Sequence, residues 1–317
     1  MEQGLALPPI RQLMQKYGMS QRTIMQAISQ MESEGLVERR SKSGIFAKEI
    51  PDRRNAVAFL SSFPISRTVS RVLMGIQSVL QEQQKTLTLI SLEDGHFDKA
   101  ERILEENRIR EIIVEPVSSN IEKIAYIEFF KGLEQKGYKI IVIDLPIPSL
   151  SSSFVGEANM SSFMAMAEIF ARKGCKEIVV AGKLGSRIYL SRLEGIREGI
   201  KDKGIELAQV ALNTDETMSQ KAQNIFRQAK KGKAIMLLDA SSSTEIAYEL
   251  RLLIPEDELA SYLIGGVIEP GNHWPLPHNH SIWLEKRSVE MGQKAAELLE
   301  AEVPQVQILD MLIKGFF

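Results

Sequence analysis

From Ala56 onward the chain alternates short apolar runs with longer stretches of helical periodicity. The runs are AVAFL (56–60), LTLISL (87–92), EIIV (111–114), KIIVI (139–143), EIVVA (177–181), AIMLL (234–238) and YLIGGVI (262–268). The stretches between them are 68–84, 97–107, 122–137, 159–174, 188–203, 217–231 and 242–253. A strand that is apolar throughout must be covered on both faces, and parallel strands need a crossover, usually a helix. The pattern predicts the α/β class, with parallel sheets covered by helices. One connection breaks the rhythm. LPIPSLSSSF, after KIIVI, is rich in Pro and Ser and has no helical period. It predicts a crossing from one α/β lobe to a second.

The first fifty residues follow another pattern. Ile10, Leu13, Met14 and Tyr17 form an i, i+3, i+4, i+7 stripe that starts just after Pro8 and Pro9, where a missing N–H costs nothing. A turn follows at Gly18, and Ser20 stands where a helix N-cap belongs. Ile24, Ala27, Ile28 and Met31 give a second apolar face, opposite Arg22, Gln26 and Ser29. After Gly35, LVERRSKSGIF reads as two short strands with a basic tip, a hairpin able to reach phosphates or a minor groove. A polar-faced helix behind a tight turn is shaped to enter a DNA major groove. KEIPDRRN (48–55) reads as a linker.

Charge divides at that linker. Residues 1–55 hold nine Lys and Arg against six acids, while the remainder holds 30 against 35. A basic small domain on an acidic large one fits a DNA reader attached to something else. The 317 residues allow two or three domains. No apolar run can span a bilayer, the N-terminus lacks the pattern of a signal peptide, and Cys175 is the only cysteine, which together predict a cytoplasmic location.

PPIRQLMQKYGMSQRTIMQAISQMESEGLVERRSKSGIF resembles the winged helix-turn-helix of the GntR family of bacterial regulators. The resemblance is carried by Pro9, Arg11, Leu13, the Gly-x-Ser turn, Thr23-Ile24, Ala27-Ile28, Glu34-Gly35-Leu36 and Ser43-Gly44-x-Phe46. That family carries a further helix ahead of this point. Only MEQGLAL precedes Pro8, which implies a start farther upstream, a clipped chain, or a reader short of core. The region from about residue 55 resembles the sensor domain of the LacI family, which has the fold of periplasmic sugar-binding proteins. The matching pieces are Met74-Gly75-Ile76, EIIV, IIVIDLPIP followed by FVGEAN, SRLEGIREGIKDKGIE, IPEDELASYLIGG and EMGQKAAELL, in the family's order. Together they are similar to the arabinose repressor group. The implied domains are a reader at 1–50 and an effector-binding, dimerising domain at 51–317. Its lobe one is expected at about 55–150 and 284–303, and its lobe two at about 151–283 and 304–317.

The resemblance implies a regulator, a repressor, that binds an operator in double-stranded DNA as a homodimer and answers to a small carbohydrate. The residues hold no Gly-x-Ser-x-Gly, P-loop or HExxH, so no enzyme activity, cofactor or metal is expected. The alternative is a solute-binding or sugar-sensing protein with no DNA role. In the reader, Ser20, Gln21, Arg22, Thr23 and Gln26 stand at the start of the recognition helix, where bidentate contacts to bases arise. Arg11, Lys42, Ser43 and Gly44 suit phosphate or wing contacts. Gln21 stands where an Arg is frequent in the family, and Lys42 where a small residue is, so the operator sequence is left open.

In two-lobed α/β folds, ligands bind at the carboxyl ends of strands. Those ends supply Ser62 with Ser66 and Arg67, then Asp94, Glu115, Asp144, Asp239 and Glu269. Carboxylates can accept from sugar hydroxyls, and at strand ends they can also cap the next helix. The resemblance adds Arg192, the Arg of Arg-x-x-Gly, with Asn159 near it. Trp274, in the loop GNHWPLPHNH, could stack on a sugar face. The family's usual Asn-Asp is Asp239-Ala240 here, its usual Asp after Gly-Phe/Tyr is absent at Gly266-Val267-Ile268, and its frequent Arg after Asp144 is Leu145, so no particular sugar is implied. The helix at 68–84, with Val69, Val72, Leu73, Ile76, Val79 and Leu80, is expected to serve as a dimer face or as sheet-facing core.

Overall fold

A computed structural model of the protein describes residues 6–33, 37–40, 44–47, 55–61, 66–92, 97–116, 119–229, 234–277 and 280–315, with the side chains of Ser33, Ala47 and Arg67 outside that description. The chain forms two compact units, Met1–Asn55 and Ala56–Phe317.

The first unit holds helices α1 (Ile10–Tyr17) and α2 (Gln21–Ser33) and an antiparallel hairpin of β1 (Val37–Arg40) and β2 (Gly44–Ala47). Gly18 ends α1 with a left-handed φ of 64°, the conformation that a helix C-terminus favours in glycine. Leu13, Ile24 and Ile28 are buried together, with Ile10, Met14, Met31 and Ile45 packed against them. The hairpin is held from a third side, where the Leu7 amide donates to the Ile45 carbonyl at 2.8 Å. Two expected core positions differ. Ala27 is exposed and Tyr17 is 56% exposed, because a core built on three buried side chains covers only a narrow stripe of each helix.

The second unit contains, in order, β3 (Ala56–Ser61), α3 (Arg67–Glu82), β4 (Thr86–Ser91), α4 (Phe97–Glu106), β5 (Glu111–Glu115), α5 (Ile124–Gln135), β6 (Lys139–Ile143) and β7 (Ser153–Glu157). Then come α6 (Asn159–Arg172), β8 (Glu177–Gly182), α7 (Arg187–Gly199), β9 (Glu206–Ala211), α8 (Met218–Gln228), β10 (Ala234–Leu237), α9 (Ser243–Leu253), α10 (Glu256–Leu259), β11 (Leu263–Ile268) and β12 (Ser281–Glu285). The chain closes with α11 (Ser288–Glu297), β13 (Val306–Leu309) and β14 (Leu312–Gly315). Among the described residues these strands make two six-stranded sheets, ordered β13-β7-β6-β5-β3-β4 and β14-β12-β11-β10-β8-β9. All neighbours run parallel except β12 and β14.

Each sheet is apolar on both faces, as its uninterrupted Val and Ile runs require. Lobe one packs Ala58, Leu60, Ile112 and Val114 toward Tyr126 and Phe130 on one side. On the other it packs Val57, Phe59, Ile113 and Ile141 toward α3 and α11. Val69, Val72, Ile76 and Leu80 of α3 belong to that second face and are at most 1% exposed. They are core, so of the two expected roles for that helix face the packing takes the sheet-facing one. Helices α3 and α11 approach so closely that a Cβ on Gly292 would lie 2.1 Å from the Val72 carbonyl oxygen.

The crossing between lobes lies later than expected. Residues 153–157 pair in parallel with β6, in register Ile141↔Ser153, within lobe one. The Pro/Ser-rich segment before them folds back, with Leu145 and Ile147 buried in the lobe-one core. It therefore joins neighbouring strands of one sheet without a helix. The chain crosses three times, after Glu157, after Glu285 and after Leu309, so β13 completes the first sheet and β14 the second.

Candidate functional site

A cleft of about 280 Å³ opens between the lobes at the carboxyl ends of the strands. Lobe one contributes Ser66, Thr68, Glu115 and Asp144, and lobe two contributes Lys183, Ser186, Tyr189, Arg192, Asp239 and Ser241, with Lys286 from the second crossing. The structure thus brings together Ser66, Glu115, Asp144, Arg192 and Asp239, five of the residues expected from strand ends and resemblance. Arg67 by its side chain, and Ser62 and Asp94 entirely, lie outside the described residues.

Arg192 sits on the inner face of α7 and is 3% exposed. Its Nε donates to Asn159 Oδ1 at 2.7 Å and its Nη1 to the Leu238 carbonyl at 2.6 Å. The guanidinium also lies 5.3 Å from the centre of the Phe163 ring. Burial pulls its pKa down, while the carboxylates of Glu157, Asp144 and Asp239 act against that. Asn159 therefore stands behind Arg192 as its orienting partner and does not line the cleft. Asp144 adopts a left-handed φ of 65°, which Asp tolerates better than most residues. Its Oδ1 is buried and, among the described residues, accepts no hydrogen bond. Glu115 stands on the neighbouring strand and accepts from Ser61 Oγ at 2.9 Å. Burial and the charge of Asp144 push the Glu115 carboxyl up to about 7.

Other expected residues do local work. Ser66 Oγ accepts from the Val69 amide and caps α3. Asp239 accepts from the amide and the hydroxyl of Ser241 and so shapes the turn into α9. Glu269 is 2% exposed and does not line the cleft. It accepts from Thr68 Oγ1 and Ser288 Oγ, each at 2.6 Å, and lies 3.4 Å from Lys286 Nζ. Trp274 is corrected outright. It is 2% exposed and stacks on Trp283 at 6.0 Å in the core of lobe two, against Gly266, leaving no ring face for a ligand.

Sequence reasoning missed Lys286 and Lys183. Each directly follows a strand, Lys286 after β12 and Lys183 after β8, so the strand-end rule reaches both once those strands are read to their ends. Lys286 is 5% exposed and lies 3.3 Å from Glu157 Oε2, whose side chain is fully buried. Burial works against the charged lysine, but Glu157, Glu269 and Asp144 outweigh it and raise its pKa. Burial raises the Glu157 carboxyl despite Lys286. Glu269 is held below the usual range, because Lys286 and the two hydroxyl donors overcome the burial penalty.

In the first unit, Ser20 Oγ accepts from the Thr23 amide at 3.2 Å and lies 2.9 Å from the Thr23 hydroxyl, so the pair caps α2. Gln21, Arg22, Thr23 and Gln26 are exposed on α2, and Arg11 is exposed on α1. Among the described residues, no acid pairs with Arg11 or Arg22. Arg39 and Arg40 of the hairpin pair with Glu32 at 3.0 Å and Glu38 at 2.6 Å. Arg40 also covers the Phe46 ring at 4.5 Å. Gly44 has a φ of 107° and open space around it, and Lys42 and Ser43 lie outside the described residues.

Residues 1–47 match the family model described as bacterial regulatory proteins, gntR family. An arabinose metabolism transcriptional repressor from Halalkalibacterium halodurans is 24% identical over 221 residues, 65% of this chain and 58% of that protein. The match therefore spans less than two thirds of that relative's length. A solved LacI family transcriptional regulator from Enterococcus faecium with bound ribose superposes with a TM-score of 0.64 at 17% identity, covering 83% of this chain and 97% of that one. The Cra transcriptional dual regulator from Pseudomonas putida in complex with fructose 1-phosphate gives 0.66 at 14% identity, covering 83% and 99%. The fold is a small winged helix-turn-helix followed by a two-lobed, periplasmic-binding-protein-like unit of the LacI type. Among the described residues, no helix is long and apolar enough to cross a membrane.

Proposed function

We propose that a GntR-type reader and a LacI-type sensor make this chain a transcription regulator, a repressor whose operator affinity is set by a small carbohydrate between the sensor lobes. One observation carries the reading. A matched helix-turn-helix with exposed Arg22 and Gln26 is joined to a cleft where carboxylates of lobe one face Arg192 and Lys183 of lobe two. Among the described residues, Asp144 Oδ1 is buried without a donor, which a ligand hydroxyl would supply. The cleft volume suits a monosaccharide better than a longer sugar.

The protein acts in the cytoplasm as a homodimer and binds its effector without transforming it. Closure of the lobes changes the spacing of two readers, and half-sites must be held one helical turn, or a multiple of it, apart. The arabinose name of the relative makes L-arabinose the first ligand to try, with ribose and fructose 1-phosphate beside it. The test is a thermal-shift titration of the full chain with these three, followed by a gel shift on its own promoter region with and without the ligand that responds. A stabilising sugar that releases DNA, with Asp144→Asn weakening both effects, is the expected result. No binding to the promoter fragment at low salt would sink the reading.

A further inference from the structure

We infer that Lys286 is the positioning residue that joins the state of the cleft to the angle between the lobes. It stands on the second crossing, one residue beyond β12, and it lines the cleft. Its Nζ lies 3.3 Å from Glu157, at the end of β7 in lobe one, and 3.4 Å from Glu269, just past β11 in lobe two. One buried cation is thus shared by a buried carboxylate from each lobe.

The two carboxylates are held differently. Glu269 also takes hydroxyl hydrogens from Thr68 on α3 and Ser288 on α11, both lobe-one helices. Among the described residues both Glu157 oxygens lack a hydrogen bond, so its compensation comes from the nearby charges of Lys286 and, at 3.9 Å, Arg192. Removing the lysine takes away the shared cation that draws the two carboxyl groups together, which favours any rotation that separates them or admits water. A ligand oxygen that draws on Lys286 from the cleft weakens the same tie. Lys286 is therefore placed to report occupancy to the crossing. The link to occupancy rests on the cleft being the effector site, but the tie itself does not.

The experiment measures the lobe-to-lobe distance without ligand. Spin labels at Glu128→Cys on α5 and Gln223→Cys on α8, in a full-length Cys175→Ser background, are read by pulsed electron resonance. Lys286→Met should shift and widen the distribution, and Lys286→Arg should restore it. If Lys286→Met fails to fold, Lys286→Met/Glu157→Gln removes the orphaned carboxylate and is read instead, again with a wider distribution expected. A folded variant of either kind with the parent's distribution overturns the proposal. Absence of any sugar effect on the parent would count against the proposed effector and leave this comparison standing.

Discussion

Replacing Arg192 by Met keeps an unbranched apolar stem and removes the guanidinium from a site where it is 3% exposed. Three partners lose their donor or counter-charge: Asn159 Oδ1 at 2.7 Å, the Leu238 carbonyl at 2.6 Å and Glu157 at 3.9 Å. Hydrogen bonds to a charged group each contribute about 1.5–3 kcal/mol net. Their effects are not additive within one network, and breaking a buried pair from one side typically costs about 3–5 kcal/mol. For a domain of this size each kcal/mol lowers Tm by about 2–4 °C, so the loss is roughly 6–20 °C. Urea unfolding at neutral pH, followed by tryptophan emission, reports on lobe two directly, because both tryptophans, Trp274 and Trp283, lie in its core. Arg192→Lys, which keeps the charge but not the fork, should fall between. A Met variant within about 1 kcal/mol of the parent would refute the network, since that is the range of ordinary substitutions.

Gly292→Ala places a methyl 2.1 Å from the Val72 carbonyl oxygen, so α3 and α11 must separate; a loss of about 1–3 kcal/mol or more is expected in the same unfolding assay. Glu115 has a raised pKa, so the folded state holds a proton that the unfolded state releases at lower pH. Its stabilising contribution is complete below the ordinary Glu range and is lost as pH rises through about 7, a change of roughly 3 kcal/mol. Glu115→Gln should flatten the stability profile between about pH 4.5 and 7, and an unchanged slope in pH-dependent melts would discard the assignment. Arg22→Ala should cost about 1–3 kcal/mol of discrimination at one operator base pair. Competition gel shifts on single-substituted operators read this, and a uniform loss across all of them would make Arg22 a phosphate contact.

The seven apolar runs were legible because burial on both faces leaves a continuous Val, Ile and Leu signature, and each became a strand. The strands β7, β9, β12, β13 and β14 were not read. ELAQVA, SFVGE, VQIL and LIKG are short or mixed, and all but SFVGE lie at sheet edges, where one side needs no partner. SIWLE is central, but it follows an irregular loop and carries few β-branched residues. That omission hid Lys286, the residue at its end. The cleft residues Glu115, Asp144 and Asp239 were legible because a carboxylate directly follows or ends an obvious strand. Glu157 was not, because its strand was taken for a crossing. Trp274 misled for a physical reason: a loop Trp beside Pro and His looks accessible, and only the missing side chain at Gly266 shows where its ring fits.

The two closing strands have a consequence for how the protein is made. Val306–Leu309 docks on β7 of one lobe and Leu312–Gly315 on β12 of the other, and in sequence both follow every other described strand. Each sheet therefore lacks one edge strand until the chain has been made past residue 305. Until then the outer edges of β7 and β12 stay open to any other extended chain. Separate expression of either lobe without its late strand would leave that edge open unless the strand were supplied in trans.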